Sequence, residues 1–298
     1  MRCSKCTGRA VYHRRYSGQM LCREHFFGYF EGKVGRNIRK IGIKRGEHIG
    51  VGLSGGKDSM ATLRMLWKYS NKLGFELTCI GVDEGVKGYR GETISAARSL
   101  TEELDVPFEV FSFGESYGRT LDELAVNGRG CTYCGVLRRR LLNEKARVLR
   151  IDRLATGHNL DDEVQAVMMN YLRGDLERLV RLSNPLRGNG LVRRIKPLSE
   201  MPEKEVALYS LLTNLGASFA ECPYSRSFRT TARDFINQLE RDNPGIKFSI
   251  MRGYEKLTPY LKSYSRSELM RCSSCGEPSS QETCNACKIL ERVNNKKN

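Results

Sequence analysis

The chain predicts an α/β fold: a doubly wound parallel sheet with a small zinc-binding module at each terminus. Three observations carry this. Apolar strands alternate with amphipathic helices through the middle of the sequence, a glycine-rich loop joins the first strand to its helix, and seven of the 11 cysteines fall at the two ends in metal-ligand spacing. Strands separated by helices pair in parallel with helices on both faces, and such sheets bind ligands at the carboxyl ends of their strands.

From the N-terminus, Cys3-x2-Cys6 is followed after 15 residues by Cys22-x2-His25. Four soft or borderline ligands in two such knuckles suit tetrahedral zinc. A helix is expected over 26–41. "HIGVGLS" (48–54) is a short apolar strand, and 58–74 shows apolar residues at helical spacing, with Gly74 as C-cap. "FELTCIGVD" (75–83) is a strand in which Cys79 is core, 91–105 a helix and "PFEVFSF" (107–113) a strand. "GVLRRRLLNEKARVLR" (135–150) is a helix with a basic face, "RLATGH" (153–158) a strand, and 160–174 a helix. At the C-terminus, Cys272-x2-Cys275 is followed after eight residues by Cys284-x2-Cys287, with Gly276 placed for a tight turn. A closed four-ligand site leaves no open position for chemistry, so both modules are assigned to folding and RNA contact. The expected domains are 1–30, 31–265 and 266–298.

The loop "GLSGGKDS" (52–59) carries the chemistry. Its glycines point backbone N–H groups at an anion, the helix start adds positive potential and Lys57 adds a full charge. This is a phosphate cradle but not a Walker A loop, because three residues separate Gly52 from Gly56 and Asp58 follows Lys57. Asp58 is a natural Mg2+ ligand. Apart from Cys79, three internal thiols remain: Cys131 and Cys134 in "GRGCTYCG", and Cys222 in "AECPYS". Thiolates suit both zinc and iron–sulfur groups, so spacing alone does not choose between them.

Lysine and arginine total 50 against 34 acids, a formal net charge of +16. A folded surface of that sign attracts an anionic partner, with nucleic acid the first candidate. Hydrophobic residues make up 40%, which implies a globular chain. No apolar run approaches the ~20 residues needed to cross a membrane. The polar start MRCSKC does not read as a secretory segment, and a cytoplasmic location is expected.

SGGKDS resembles the PP-loop of the ATP pyrophosphatases, whose sheet is of the adenine nucleotide alpha hydrolase-like type. "ATGHNLDDE" (155–163) resembles their second motif. The PP-loop, the terminal knuckles, the central CxxC and a lone later cysteine together resemble the TtuA/NcsA-type tRNA 2-thiouridine synthetases over nearly the whole chain. The resemblance implies ATP at Gly52, Ser54, Gly55, Gly56, Lys57, Asp58, Ser59, Asp83 and Gly157, with magnesium shared by Asp58 and Asp161. It implies a [4Fe–4S] cluster on Cys131, Cys134 and Cys222, leaving one iron open to carry hydrosulfide. It further implies tRNA as substrate, adenylation of the uridine C2 oxygen and its replacement by sulfur, and a homodimer, with helix 26–41 a candidate interface. The sulfur donor is free sulfide, a ubiquitin-like thiocarboxylate carrier or a persulfide.

Arg138 either lines the active site or contacts phosphate. The U54 branch is expected to carry lysine there, so "CGVLRRR" and the C-terminal knuckle favour wobble U34 over U54. The basic stretches 187–194 and 226–233 are expected to grip tRNA. His158 is assigned to the backbone turn rather than to acid–base work. Competing readings are thiolation of U54, 2-thiocytidine synthesis, a non-thiolating PP-loop ligase or amidotransferase, and a zinc RNA-binding module without catalysis.

Overall fold

A computed structural model describes residues 1–125, 128–183, 190–225, 228–261 and 269–294. The chain opens with the antiparallel hairpin β1 (Tyr12–Arg14) and β2 (Gln19–Leu21), followed by α1 (Arg23–Ile41). Next come β3 (His48–Gly52), α2 (Lys57–Leu73), β4 (Glu76–Asp83), α3 (Arg90–Glu103), β5 (Phe108–Ser112) and the short α4 (Phe113–Tyr117) and α5 (Leu121–Leu124). They are followed by α6 (Gly130–Val148), β6 (Arg153–Ala155), α7 (Leu160–Leu172), α8 (Leu176–Ser183), β7 (Arg193–Ile195) and α9 (Glu203–Leu212). The chain ends with α10 (Phe228–Asp242), α11 (Ile246–Leu261), the pair β8 (Met270–Arg271) and β9 (Pro278–Ser279), and α12 (Asn285–Asn294).

The central sheet has the order β5-β4-β3-β6-β7, and every pair is parallel. The chain moves outward from β3 to β5, then returns to the other side of β3. This reversal opens a crevice at the carboxyl ends of β3 and β6. Helices α1, α2, α3 and α9 cover one face, with Val34, Ile49, Met60, Leu66 and Val206 in its core. Helix α6 covers the other face, flanked by α5 and α12. Buried on both faces, β4 reads as an almost unbroken apolar run.

Several elements differ from the sequence reading. Helix α6 starts at Gly130 rather than 135, so both cysteines of the CxxC lie on it. Burial of Tyr133, Leu137 and Leu141 against Phe113, Leu121, Ala286 and Ile289 extends the helix through a glycine-flanked stretch that suggests a turn. Strand β7 was not anticipated, because Arg193 and Arg194 give it a charged surface; such charge is common on an edge strand. The expected boundary after residue 30 falls inside α1. Phe26, Phe30, Val34 and Ile38 of α1 turn into the main core, and Phe30 stacks on Tyr209 at 4.2 Å. The apolar face of helix 26–41 is thereby committed to the chain's own core. Residues 187–189 and 226–227 of the expected tRNA grips lie outside the described residues.

Candidate active site

Loops leaving β3, β4 and β6 converge at the crevice. Gly55 has φ +81°, and a Cβ there would fall 1.8 Å from the Thr93 carbonyl oxygen, so only glycine lets α3 pack this close to the loop. Gly157 serves the second loop similarly: a Cβ would stand 2.7 Å from Ser59 N. The two family-like motifs therefore touch. Ser59 Oγ donates to the Gly56 carbonyl at 2.9 Å and accepts from Ser54 N at 3.1 Å, closing the cradle. Gly52 ends β3 and Asp83 ends the neighbouring β4, its Oδ1 accepting from Gly85 N at 2.8 Å.

Lys57 and Asp58 stand on the first turn of α2. Lys57 Nζ donates to Asp58 Oδ2 at 2.9 Å and to Glu203 Oε1 at 2.8 Å. Burial alone would lower the Lys57 pKa, but the two carboxylates overcome it and hold the ammonium above its usual range. Burial pushes Asp58 up despite Lys57. Asn159 Nδ2 donates to Asp58 Oδ1 at 2.9 Å. Asp161 is buried; Lys247 donates to its Oδ1, and Glu203 N to its Oδ2 at 2.9 Å. The structure thus does not place Asp161 directly on Asp58. Instead each carboxylate expected to share magnesium carries a lysine ammonium, the charge a divalent cation would replace. That donor set fits such an ion.

A strap ties this cradle to the thiols. Ser218 N donates to the Gly55 carbonyl at 3.0 Å. Farther along, Tyr224 lies over the start of α6, where a Cβ on Gly130 would come within 2.8 Å of its ring, and its hydroxyl donates to Asp122 at 2.8 Å. Between these anchors Cys222 is carried toward Cys131 and Cys134. The three are near enough that Cys222 and Cys131 raise the Cys134 pKa, which burial mainly drives up to about 12. Burial also raises that of Cys222. Three free thiols, soft donors on the start of α6 and on the strap that faces it, form a donor set that fits a metal cluster. Among the described residues they do not converge within 4.8 Å of one another as the two terminal groups do.

Glu84 bridges the two halves. Its Oε2 lies 2.7 Å from Arg90 Nε and its Oε1 3.4 Å from Arg138 Nη1, while Cys134 Sγ is 4.0 Å away. Arg90 in turn donates to the Ser54 carbonyl at 3.0 Å. Half-exposed Arg138 therefore lies beside the cysteines. His158 accompanies Thr156 at 2.8 Å; burial, then Lys196, Arg229, Arg194 and Arg138, pulls its pKa down to about 3. Burial lifts Asp162 to about 6 despite Arg229.

Each terminal knuckle is closed. A tetrahedral zinc with bonds of about 2.3 Å to sulfur spaces its thiolates about 3.8 Å apart. The observed Sγ–Sγ distances are 3.7 Å for Cys6–Cys22, 3.9 Å for Cys272–Cys287 and 3.8 Å for Cys275–Cys284. His25 Nδ1 stands 3.6 Å from Cys3 Sγ and 3.2 Å from Cys22 Sγ. Burial raises the Cys272 thiol, but N–H donors from Cys284, Ser274 and Cys275 outweigh it and bring it to about 6, ready to bind as thiolate. Both groups fit one tetrahedral ion.

Glu84, Arg90, Asn159, Glu203 and Lys247 escaped sequence reading. Asn159 alone had a local signal, the capping pair it forms with Asp162 at the start of α7. A cavity of about 660 Å3, lined by Tyr16, Lys33, Phe248 and Arg252, holds none of the candidate residues.

The PP-loop domain family matches residues 30–237, and the N-terminal LIM domain of 2-thiouridine synthetase TtuA matches residues 2–27. A probable sulfurtransferase of Methanocaldococcus jannaschii is 38% identical over 98% of this chain and 88% of its own length. The tRNA 2-thiolation protein NcsA of Haloferax volcanii is 35% identical over 98% of this chain and 99% of its own. The solved structure of the U34-tRNA thiolase NcsA from Methanococcus maripaludis with its [4Fe-4S] cluster superposes with a TM-score of 0.86 at 37% identity, covering 98% of this chain and 96% of that one.

Proposed function

The chain belongs to the PP-loop family that includes the tRNA 2-thiolation proteins, and from that premise we propose that it converts wobble uridine 34 of tRNA to 2-thiouridine with ATP and sulfide. The observation that supports this reading is the 218–224 strap, which carries Cys222 and is anchored on the phosphate cradle through Ser218 and on the start of the CxxC-bearing α6 through Tyr224.

The chemistry divides into two stages. ATP lies along Ser54–Ser59, its phosphates facing the start of α2 and Lys57. The uridine C2 oxygen attacks the α-phosphorus and pyrophosphate leaves. Asp58 and Asp161 would hold a magnesium ion, which would screen the phosphate charge; without it Lys57 and Lys247 neutralise the two carboxylates. Lys57 keeps its proton throughout, because its neighbours hold it charged, and so stabilises the anionic transition state. The C2 carbon now bears an adenylate leaving group. Sulfide adds to C2, the C2–O bond breaks and AMP departs. Cys131, Cys134 and Cys222 would hold an iron–sulfur cluster, which would supply the sulfide for transfer. Arg138, beside Cys134, offsets negative charge at the point of transfer. His158, neutral across the working pH range, shapes the turn. The two terminal four-ligand groups would each hold one zinc ion, which would stabilise their folds. Extrusion of the target base from its loop lets it reach the crevice. Free sulfide or a thiocarboxylate carrier supplies the sulfur.

Anaerobically isolated protein, given ATP, sulfide and unmodified tRNA, tests the proposal by nucleoside mass spectrometry and AMP release. Sulfur at position 34 with stoichiometric AMP is expected. Sulfur at position 54 instead would move the target, and ATP cleavage without any thiolated base would remove the thiolase reading.

A further inference from the structure

Five cations gather at the rim of the crevice: Arg138 and Arg139 on α6, Arg194 on β7, Lys196 just beyond it and Arg229 on α10. Three have acidic partners. Arg138 faces Glu84 at 3.4 Å, Lys196 faces Glu163 at 2.7 Å and Arg229 faces Asp162 at 2.6 Å. Arg139 and Arg194 have no acidic partner among the described residues. Arg194 Nη2 instead reaches the Arg139 carbonyl at 3.3 Å. Arg139 folds back along its own helix, so that a Cβ on Gly135 would stand 3.3 Å from its Nη1 and 3.7 Å from its Nη2. Its guanidinium therefore lies over the residue that follows Cys134. Both side chains are solvent-exposed, so RNA can reach them; partial desolvation and then the neighbouring arginines lower both pKa values. Two like charges held together without a carboxylate partner among the described residues favour an anion, and guanidinium groups match phosphate oxygens bidentately.

We propose that Arg139 and Arg194 form a phosphate subsite that holds the RNA backbone beside the extruded uridine. This rests on the thiolation reading above. ATP is the other source of phosphate, but its triphosphate already has the glycine cradle, the start of α2 and Lys57. Arg139 lies on the cysteine side, where the base must arrive for sulfur transfer. A phosphate fixed there anchors the flipped nucleotide by its own backbone, independent of base identity.

The test uses full-length, metal-replete protein with an unmodified tRNA transcript. tRNA binding is measured across a salt series for the wild type, Arg139→Gln, Arg194→Gln and the double variant. ATP binding is measured in parallel with a non-hydrolysable analogue, and melting temperature is recorded. The double variant is expected to bind tRNA about tenfold more weakly, with the slope of log affinity against log salt reduced by about 1. ATP affinity should stay within about twofold. The melting temperature should hold or rise, because a like-charge contact has been removed, whereas a purely structural pair would lower it. Unchanged tRNA affinity and slope would overturn the subsite. Weakened ATP binding with an unchanged tRNA slope would assign the pair to the nucleotide instead, also overturning it. Wild-type protein that binds no tRNA at any salt would remove the thiolation reading together with the subsite.

Discussion

Lys57 sits between Asp58 and Glu203, and the two carboxylates keep it protonated. Replacing it with alanine removes the one full cation of the cradle and leaves two acids facing the incoming phosphates. Adenylation should fall at least about a hundredfold in Lys57→Ala, while iron and sulfide content is unchanged, because the thiols are held by other elements. Turnover assay and metal analysis check both halves. His158 gives a pH prediction. Its folded pKa is about 3, against 6.5 for an ordinary imidazole, and burial is the main cause. The unfolded chain therefore takes up a proton below pH 6.5 that the folded chain refuses. Stability from this group is complete above pH 6.5 and is lost progressively as pH falls toward 3. His158→Asn should reduce the drop in melting temperature between pH 7 and pH 5 by a few degrees, and the rate profile should show no limb near 6.5 arising from this residue. A strong acid limb that vanishes in His158→Asn would mean that the imidazole takes part in proton transfer.

At the scale of elements, each of the two motif loops is set by one glycine. Gly55 carries a left-handed φ and lies against α3, so Gly55→Ala combines backbone strain with a collision on the Thr93 carbonyl. ATP affinity should fall at least tenfold in that variant, while the terminal metal sites keep their zinc; calorimetry and zinc counts distinguish this from general unfolding. The cradle was legible because its residues are consecutive: "SGGKDS" carries glycine, lysine and carboxylate on one strand-to-helix turn. Lys247 and Glu203 were not legible. They reach Asp161 and Lys57 from α11 and α9, elements far along the chain, and neither helix start has a composition that announces a ligand. The start of α6 is not legible in sequence because "GRGCTYCG" has the composition of a turn, whereas the burial of Tyr133 and Leu137 makes it helix.

Across the whole molecule, the C-terminal knuckle belongs mechanically to the thiol helix. Ala286 and Ile289 of α12 pack with Leu137 and Leu141 of α6, and Arg140 of α6 donates to Cys287 Sγ at 3.7 Å. Loss of the distal metal should therefore be felt at the cluster. In Cys272→Ala, one zinc should be lost, melting should occur several degrees lower, and the cluster should decay faster in air than in the wild type. Absorption near 400 nm followed over time reads that decay; a decay rate equal to that of the wild type would show that the two sites are uncoupled. The N-terminal module is joined as firmly, since α1 carries His25 at one end and runs through the main core.

The amino-acid sequence by itself determined what is local: the strand and helix alternation, the phosphate cradle and the two knuckles, each written in residues a few positions apart. It also determined the inventory of thiols and the excess of positive charge. The tertiary structure alone decided what depends on residues distant in the chain. It turned α1 inward, carried Cys222 to the start of α6 along the 218–224 strap, and put Glu84 between the cradle and the cysteines. It also left Arg139 and Arg194 without an acid among the described residues, while their neighbours found one. The physical reason is that periodicity and turn chemistry act over a few residues. The pairing of a buried charge is settled only by which helices the packed core brings face to face.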